Sequence, residues 1–218
     1  MEEELKKYIL QKIKSEYKKF DKSHNISHFN FVTKNCVNYA KELNKRGENI
    51  NLDIAYIIGA FHDYGIKDGR ENHAKNSAKY VRTDKVLKKY YDNKTIELMA
   101  QAVEDHSSHL SYEPRSIYGK LVADADRNNT IYLVFSRPVK YSLLNLKGIS
   151  RQEHIERVYN FVQSKFGKNG YVKYWIDIED TRKEQQALFD LLDKEVECKN
   201  YIAGIFDEIT KGKYIIKK

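Results

Sequence analysis

Proline and glycine are scarce in this chain of 218 residues. With two prolines and ten glycines, it lacks the punctuation that repeated strand-turn-strand units require, and an all-α fold is expected. Cysteine is almost missing as well. Cys36 and Cys198 stand alone, with no CxxC pair and no even-numbered framework. That excludes a disulfide scaffold and points to a reducing, cytoplasmic compartment in which both thiols are packing residues. No run approaches the roughly 18 apolar residues of a membrane span. The opening MEEELKKYIL is acidic where a secretory signal is basic, so neither secretion nor a membrane partner is expected.

What is present is a hydrophobic share of 41% and a net charge of +8. The first is enough for one substantial core, and the length reads as a single domain over 1–218. The second suits an anionic ligand such as a nucleotide, a phosphate ester or nucleic acid, with a basic end at Lys211, Lys213, Lys217 and Lys218. A nucleic-acid partner has no further support, because zinc-finger and RNA-binding signatures are absent. Most of the lysines read as a solvated surface. Nothing in the pattern sets an oligomeric state.

Apolar spacing divides the chain into helices. Leu5, Tyr8, Ile9, Ile13 and Tyr17 form a stripe over Glu3 to Phe20, broken by Asp21 to Ser27. A second stripe from about Ser27 (Phe29, Val32, Cys36, Ala40, Leu43) stops at Gly47. The third begins near Asn51, is apolar almost all round, and so marks a buried central helix that Gly65 can end. Asn72 is placed to cap a helix starting at His73. Ile96, Met99, Val103 and His106 share a face of a helix over Asn93 to Ser107, which turns His106 toward the core. One helix is expected over Ser116 to Phe135. Ser150 and Glu153 make a capping box for a helix to about Phe166. Helices over Glu179 to Val196 and Lys199 to Lys211 follow, and the aromatic stretch Tyr171 to Ile178 reads either as a short extended piece or as a packing loop.

His62 and Asp63 end the most apolar stretch of the chain, NLDIAYIIGAF at Asn51 to Phe61. An imidazole and a carboxylate buried without partners cost several kcal/mol, roughly, so this pair calls for a metal or a polar network at a pocket. Six of the seven histidines (His24, His28, His62, His73, His106, His109) fall before residue 110. Singly each is weak. Their order carries the weight: a histidine in the first turn of one helix, an adjacent His-Asp pair, then an aspartate in a later buried helix.

That order, with DKSHNISH at Asp21 to His28, GAFHDYGIKD at Gly59 to Asp68, NHAKNSA at Asn72 to Ala78, EDHS at Glu104 to Ser107 and VADADR at Val122 to Arg127, resembles the HD-domain superfamily of metal-dependent phosphohydrolases. The resemblance covers about 21–137 and implies an HD-domain helical bundle, with 150–218 as a C-terminal helical extension that packs on it as a lid or subunit contact. It implies metal ligands at His28, His62, Asp63 and one aspartate of VADADR. The family's Ala-Asp-Arg step favours Asp126, whereas Ile117, Leu121, Asp124 and Asn128 share a helical face that points to Asp124.

Two imidazoles and two carboxylates suit one divalent ion, Mn²⁺, Fe²⁺, Co²⁺ or Zn²⁺, and Mg²⁺ (magnesium) less well. His73 and His106 match positions that bind a second ion in two-metal relatives; here one ion is expected, with these histidines as phosphate contacts or proton donors. Asp63, His73 and His106 are the expected catalytic groups. His24, Lys67, Arg70 and Arg127 are the expected substrate contacts, with Lys75 a further cationic candidate. The alarmone-hydrolase signature HDxxED is absent, since Ile66 and Lys67 occupy its acidic positions. The segment Asp21 to His28 resembles small HD proteins that act on nucleotides, so the implied activity is hydrolysis of a phosphorylated small molecule, first a nucleotide. The alternatives are a metal- or nucleotide-binding sensor without turnover and a cyclic-nucleotide phosphodiesterase.

Overall fold

The computed structural model describes residues 1–21, 23–127 and 130–212, apart from the side chain of Asp180. Lys213, Lys217 and Lys218 of the basic end, and Asn128 of the candidate ligand face, lie outside the described residues. Helices form the fold and, among the described residues, there is no strand. Among them also, no helix is long and apolar enough to cross a membrane.

The first helix is not uniform. It runs as α1 (Glu3–Tyr8), a π segment (Ile9–Ile13) and α2 (Lys14–Glu16). Leu5, Ile9, Ile13 and Tyr17 are all buried. They stand four residues apart, a spacing that drifts by about 40° per step around an α-helix of 3.6 residues per turn. The wider π turn absorbs that drift and keeps all four on the core.

Next come α3 (Ile26–Lys45), α4 (Leu52–Phe61), α5 (His73–Thr83), α6 (Leu87–Tyr90), α7 (Asn93–Glu104) and α8 (Ile117–Arg127). Asn25 caps α3 by accepting the N–H groups of Ser27 and His28, and Asn51 caps α4 through Asp53 and Ile54. In α4, Ile54, Ala55, Ile57, Ile58, Ala60 and Phe61 are buried, as a central helix requires. α3 packs along α4, α5 pairs with α7, and α8 lies against α3, α4 and α7. Asn72 does not cap α5 with its side chain, as expected from sequence; it stands in the left-handed region at φ 57° and makes the sharp entry to the helix instead.

Two glycines set the spacing. A Cβ on Gly59 would come within 3.0 Å of the Thr33 Cα and 3.1 Å of the Cys36 Sγ, so the missing side chain lets α4 lie close on α3. A Cβ on Gly65 would stand 2.4 Å from both the His73 carbonyl oxygen and the Ser77 nitrogen. The 3₁₀ turn Tyr64–Asp68 therefore presses directly on the start of α5, and the Gly65 N–H donates to the Ser77 Oγ at 2.7 Å.

The helix expected over Ser116 to Phe135 is two: α8 ends at Arg127, and α9 (Ile131–Asn145) starts anew with Thr130 accepting the Leu133 N–H. α10 (Arg151–Phe166) carries the expected Ser150–Glu153 capping box, and α11 (Glu179–Leu192) and α12 (Glu195–Thr210) follow.

The chain divides into two compact units, where one domain is expected from sequence. The first is 1–127 with 174–178; the second is 128–173 with 179–218. The first begins well before residue 21 because Leu5, Ile9, Ile13 and Tyr17 belong to its core, and it ends with α8. The second packs α9, α10 and α12 on one another around Phe135, Val139, Val158, Val162, Ile202 and Phe206. The aromatic stretch is irregular, and its 174–178 portion belongs to the first unit, with Ile176 and Ile178 in that core.

Candidate metal centre

Six side chains from five places in the first unit converge. His28 comes from the first turn of α3, His62 and Asp63 from the end of α4, His73 from the first residue of α5, His106 from just beyond α7, and Asp126 from α8. His28, His62, Asp63 and His106 are buried, while His73 and Asp126 reach partial exposure. His28 Nε2 lies 3.1 Å from His62 Nε2 and 3.1 Å from Asp126 Oδ1. His73 Nε2 lies 3.2 Å from His106 Nε2.

Asp63 faces both pairs. Its Oδ2 is 3.1 Å from His62 Nε2 and 3.4 Å from His28 Nε2. Its Oδ1 is 3.5 Å from His73 Nε2 and 3.6 Å from His106 Nε2. Two groups of three donors result, His28 with His62 and Asp126, and Asp63 with His73 and His106. Every donor atom in each group lies within 4.8 Å of the others.

The imidazoles are oriented from behind. His62 Nδ1 bonds the Gly59 carbonyl at 2.7 Å, His73 Nδ1 that of Arg70 at 2.9 Å, and His106 Nδ1 that of Val103 at 2.5 Å. A carbonyl only accepts, so Nδ1 carries the hydrogen and a neutral ring presents a bare lone pair at Nε2. In the His73–His106 pair lone pair then faces lone pair beside Asp63 Oδ1, and the His62 lone pair faces His28, whose own Nδ1 has no partner. The enclosed Oδ2 of Asp63 accepts no hydrogen bond. Acceptors alone repel, and only a cation or added protons make such a cluster stable. The mixed imidazole and carboxylate set fits Mn²⁺, Fe²⁺, Co²⁺ or Zn²⁺.

Without a cation the cluster takes up protons. Burial pulls the His28 imidazole down, but the Asp126 and Asp63 carboxylates outweigh it and push it up to about 9. Burial likewise disfavours charge on His106, and Asp63 reverses that upward. His73 is lowered by burial and by the neighbouring His106. Burial would raise both carboxylates, yet His62, His106 and His28 hold Asp63 well below the usual range, and His28 and His62 do the same for Asp126.

Asp124 and Asp126 separate cleanly. Asp124 Oδ2 accepts the backbone N–H groups of Trp175 at 2.8 Å and Ile176 at 2.7 Å, fastening 174–178 to α8. Asp126 Oδ1 faces His28 and stands 4.0 Å from His62 Nε2. Burial pushes Asp124 up to about 6 against the pull of those two N–H groups. Both aspartates point inward, to different neighbours.

The four expected substrate contacts are not brought together. His24 and Arg70 stand beside the cluster: His24 Nδ1 is 3.0 Å from both Asp21 oxygens, Arg70 Nη1 is 3.6 Å from Asp21 Oδ2, and the His24 and His28 ring centres are 5.8 Å apart. Lys67 is held elsewhere, with its ammonium 3.9 Å from the Tyr64 ring centre and 3.7 Å from that of Tyr80. Arg127 is buried and donates to the carbonyls of Ser107 at 3.0 Å and His106 at 3.5 Å, so it braces the loop carrying His106. Lys75 and His109 are exposed.

Two neighbours escape a reading of the sequence. The buried Tyr17 hydroxyl donates to the Ala60 carbonyl at 3.0 Å and accepts the Asp63 N–H at 3.2 Å, which fixes the end of α4. In an apolar stripe its hydroxyl gives no signal. Asp105, fully buried, accepts the Arg115 N–H at 2.7 Å and the Arg115 Nη2 at 2.6 Å, clamping the turn that carries His106. Its place next to His106 was the available hint.

Comparison with known proteins agrees with this arrangement. The HD-domain family model matches residues 25–129, which include all six donors. No curated protein sequence matches the chain. A similar solved structure is that of a predicted HD superfamily hydrolase from an uncultured Thermotogales bacterium, with 21% identity, a TM-score of 0.53, and 91% of each chain covered. At that identity the likeness concerns the fold. Residues 25–129 thus match the HD-domain family model, and the fold is the one seen in that HD superfamily structure.

Proposed function

We propose that the first unit is a phosphohydrolase that cleaves a phosphoester or phosphoanhydride bond of a small phosphorylated molecule, first among them a nucleotide. The observation that carries this reading is the pair of three-donor groups divided by the single carboxylate of Asp63. His28, His62 and Asp126, with Asp63 Oδ2, would hold one divalent ion. His73, His106 and Asp63 Oδ1 have the same donor chemistry and would hold a second, which replaces the one-ion expectation and the phosphate-contact role of these histidines. Bound ions supply a Lewis acid and a water acidic enough to attack near neutral pH.

The chain's own groups do the rest. The carbonyls of Gly59, Arg70 and Val103 hold three imidazoles in their orientation, so the donors are fixed before substrate arrives. Burial of His62, Asp63 and His106 closes the floor to bulk water, and the partly exposed Asp126 and His73 mark the open side. Asp63 is the carboxylate that reaches both groups, through Oδ2 to the first and Oδ1 to the second. Arg70 and His24, beside His28, offer donors to phosphate oxygens.

The test is a panel of nucleoside mono-, di- and triphosphates and cyclic dinucleotides incubated with Mn²⁺-loaded protein. Release of phosphate or nucleoside product by the wild type, abolished in Asp63→Ala, is expected. Full survival of every substrate, or equal turnover by Asp63→Ala, rules the reading out.

A further inference from the structure

A second concave site lies in the first unit, away from the histidine and carboxylate groups. It is a cavity of about 280 Å³ lined by Tyr8, Lys12, Tyr64, Lys67, Tyr80, Thr83, Asp84, Lys85 and Val86, and none of the six donors lines it. Three lysines thus line it from three separate stretches of chain, the π segment, the 3₁₀ turn and the link between α5 and α6. None of them has a carboxylate oxygen within 4.0 Å among the described residues.

The acids nearby are engaged. Asp84 Oδ1 accepts the N–H groups of Val86 at 2.8 Å and Leu87 at 2.9 Å, and its Oδ2 accepts the Tyr8 hydroxyl. Asp68 receives the Tyr80 hydroxyl at 2.8 Å, and Glu16 is paired with Lys19 at 2.8 Å. Lys67 is pre-placed, its ammonium between the Tyr64 and Tyr80 rings, an arrangement that spares most of the entropy cost of ordering a lysine on a ligand. Partial burial lowers its proton affinity against the opposing pull of Asp68 and Glu16.

We propose that this cavity binds a small, multiply charged phosphate anion: pyrophosphate, or the polyphosphate end of a nucleotide. Three lysines line the cavity against one carboxylate, Asp84, whose oxygens are already occupied, which leaves its lining with an excess of positive charge. The volume lies just under the roughly 300–1,000 Å³ of sites that enclose drug-sized ligands, so it admits the phosphates and leaves a larger group outside. Tyr64 follows Asp63 directly in sequence, so the site shares a wall with the turn that carries the HD pair.

The experiment is calorimetric titration of the full chain in EDTA, which keeps metal out of the donor groups, with pyrophosphate, orthophosphate and a nucleoside diphosphate in separate arms. Pyrophosphate binding that weakens at least fivefold in Lys67→Gln and at least tenfold in the double variant Lys12→Gln/Lys85→Gln is expected, with Lys140→Gln, an exposed lysine of the second unit, unchanged. Equal affinity for pyrophosphate and the nucleoside diphosphate identifies the phosphates alone as what is read; tighter nucleoside diphosphate identifies a nucleotide. Lys12 and Lys85 are exposed, so their variant keeps the helical circular dichroism of the wild type. Absence of pyrophosphate binding to folded wild type overturns the proposal. So does binding that Arg70→Gln, at the donor cluster, weakens while Lys67→Gln and Lys12→Gln/Lys85→Gln leave it intact.

Discussion

His28 and His62 meet Nε2 to Nε2 at 3.1 Å, across the closely packed α3 and α4. Two imidazole nitrogens at that distance share either a proton or a metal ion, and the Nδ1 bond from His62 to Gly59 turns its lone pair toward the meeting point.

Proton and metal therefore compete for one place. In metal-free protein His28 stays protonated up to about 9, above its ordinary 6.5. A raised folded value means that its contribution to stability is complete below 6.5, declines as pH rises, and is gone above about 9. Unfolding in urea with EDTA should show that loss between pH 7 and 9. Mn²⁺ affinity should move the other way and rise roughly tenfold per pH unit over the same window, for one proton displaced per ion.

Metal removal should lower stability. A ligand that binds only the folded chain adds about 2.7 kcal/mol at 100 times its dissociation constant. Thermal melts with excess Mn²⁺ and with EDTA should differ in that direction for wild type and coincide for Asp63→Ala.

Asp124 and Asp126 should separate stability from metal binding. Asp124→Ala strands the Trp175 and Ile176 N–H groups, at roughly 1–3 kcal/mol for each buried donor left unpaired. Trp175 is the one tryptophan of the chain, so its fluorescence in urea reports on this segment directly. Asp126→Asn should leave the Trp175 segment in place, lose Mn²⁺ at the first group, and in metal-free protein shift the loss of stability assigned to His28 to lower pH, since Asp126 is the first of the carboxylates that raise it.

Gly65→Ala should damage the second group. Its Cβ meets backbone atoms of His73 and Ser77 at 2.4 Å, and backbone yields less readily than a side chain. The cost should be roughly 1–3 kcal/mol, as for overpacking, and α5 should be displaced together with His73. The readouts are the urea midpoint and Mn²⁺ stoichiometry.

The helical fold was legible because burial follows spacing: Leu5, Ile9, Ile13 and Tyr17, or Ile96, Met99 and Val103, are where the pattern puts them. His62 and Asp63 were legible for the reverse reason, as polar groups ending an apolar stretch, His106 because it shares a face with Ile96, Met99 and Val103, and His28 through its place in the ordered histidine and aspartate pattern. The break after Arg127 was hidden because apolar residues continue through Ile131 to Phe135, and spacing does not register an end without proline or glycine. Lys67 and Arg127 were misplaced as substrate contacts because the direction of a long side chain depends on what receives it. For Lys67 that is two tyrosine rings, one of them thirteen residues on, and for Arg127 two carbonyls some twenty residues back. The role of Asp124 was equally hidden, since its partners are backbone N–H groups some fifty residues away.

The central claim is that Asp63 is shared between two metal-holding groups, and counting ions tests it most directly. Equilibrium titration of EDTA-treated, buffer-exchanged protein with Mn²⁺ should give two ions per wild-type chain and one for His73→Ala, with Asp63→Ala losing affinity at both groups. A wild-type chain that binds no Mn²⁺, or an Asp63→Ala chain that binds it as wild type does, contradicts the account.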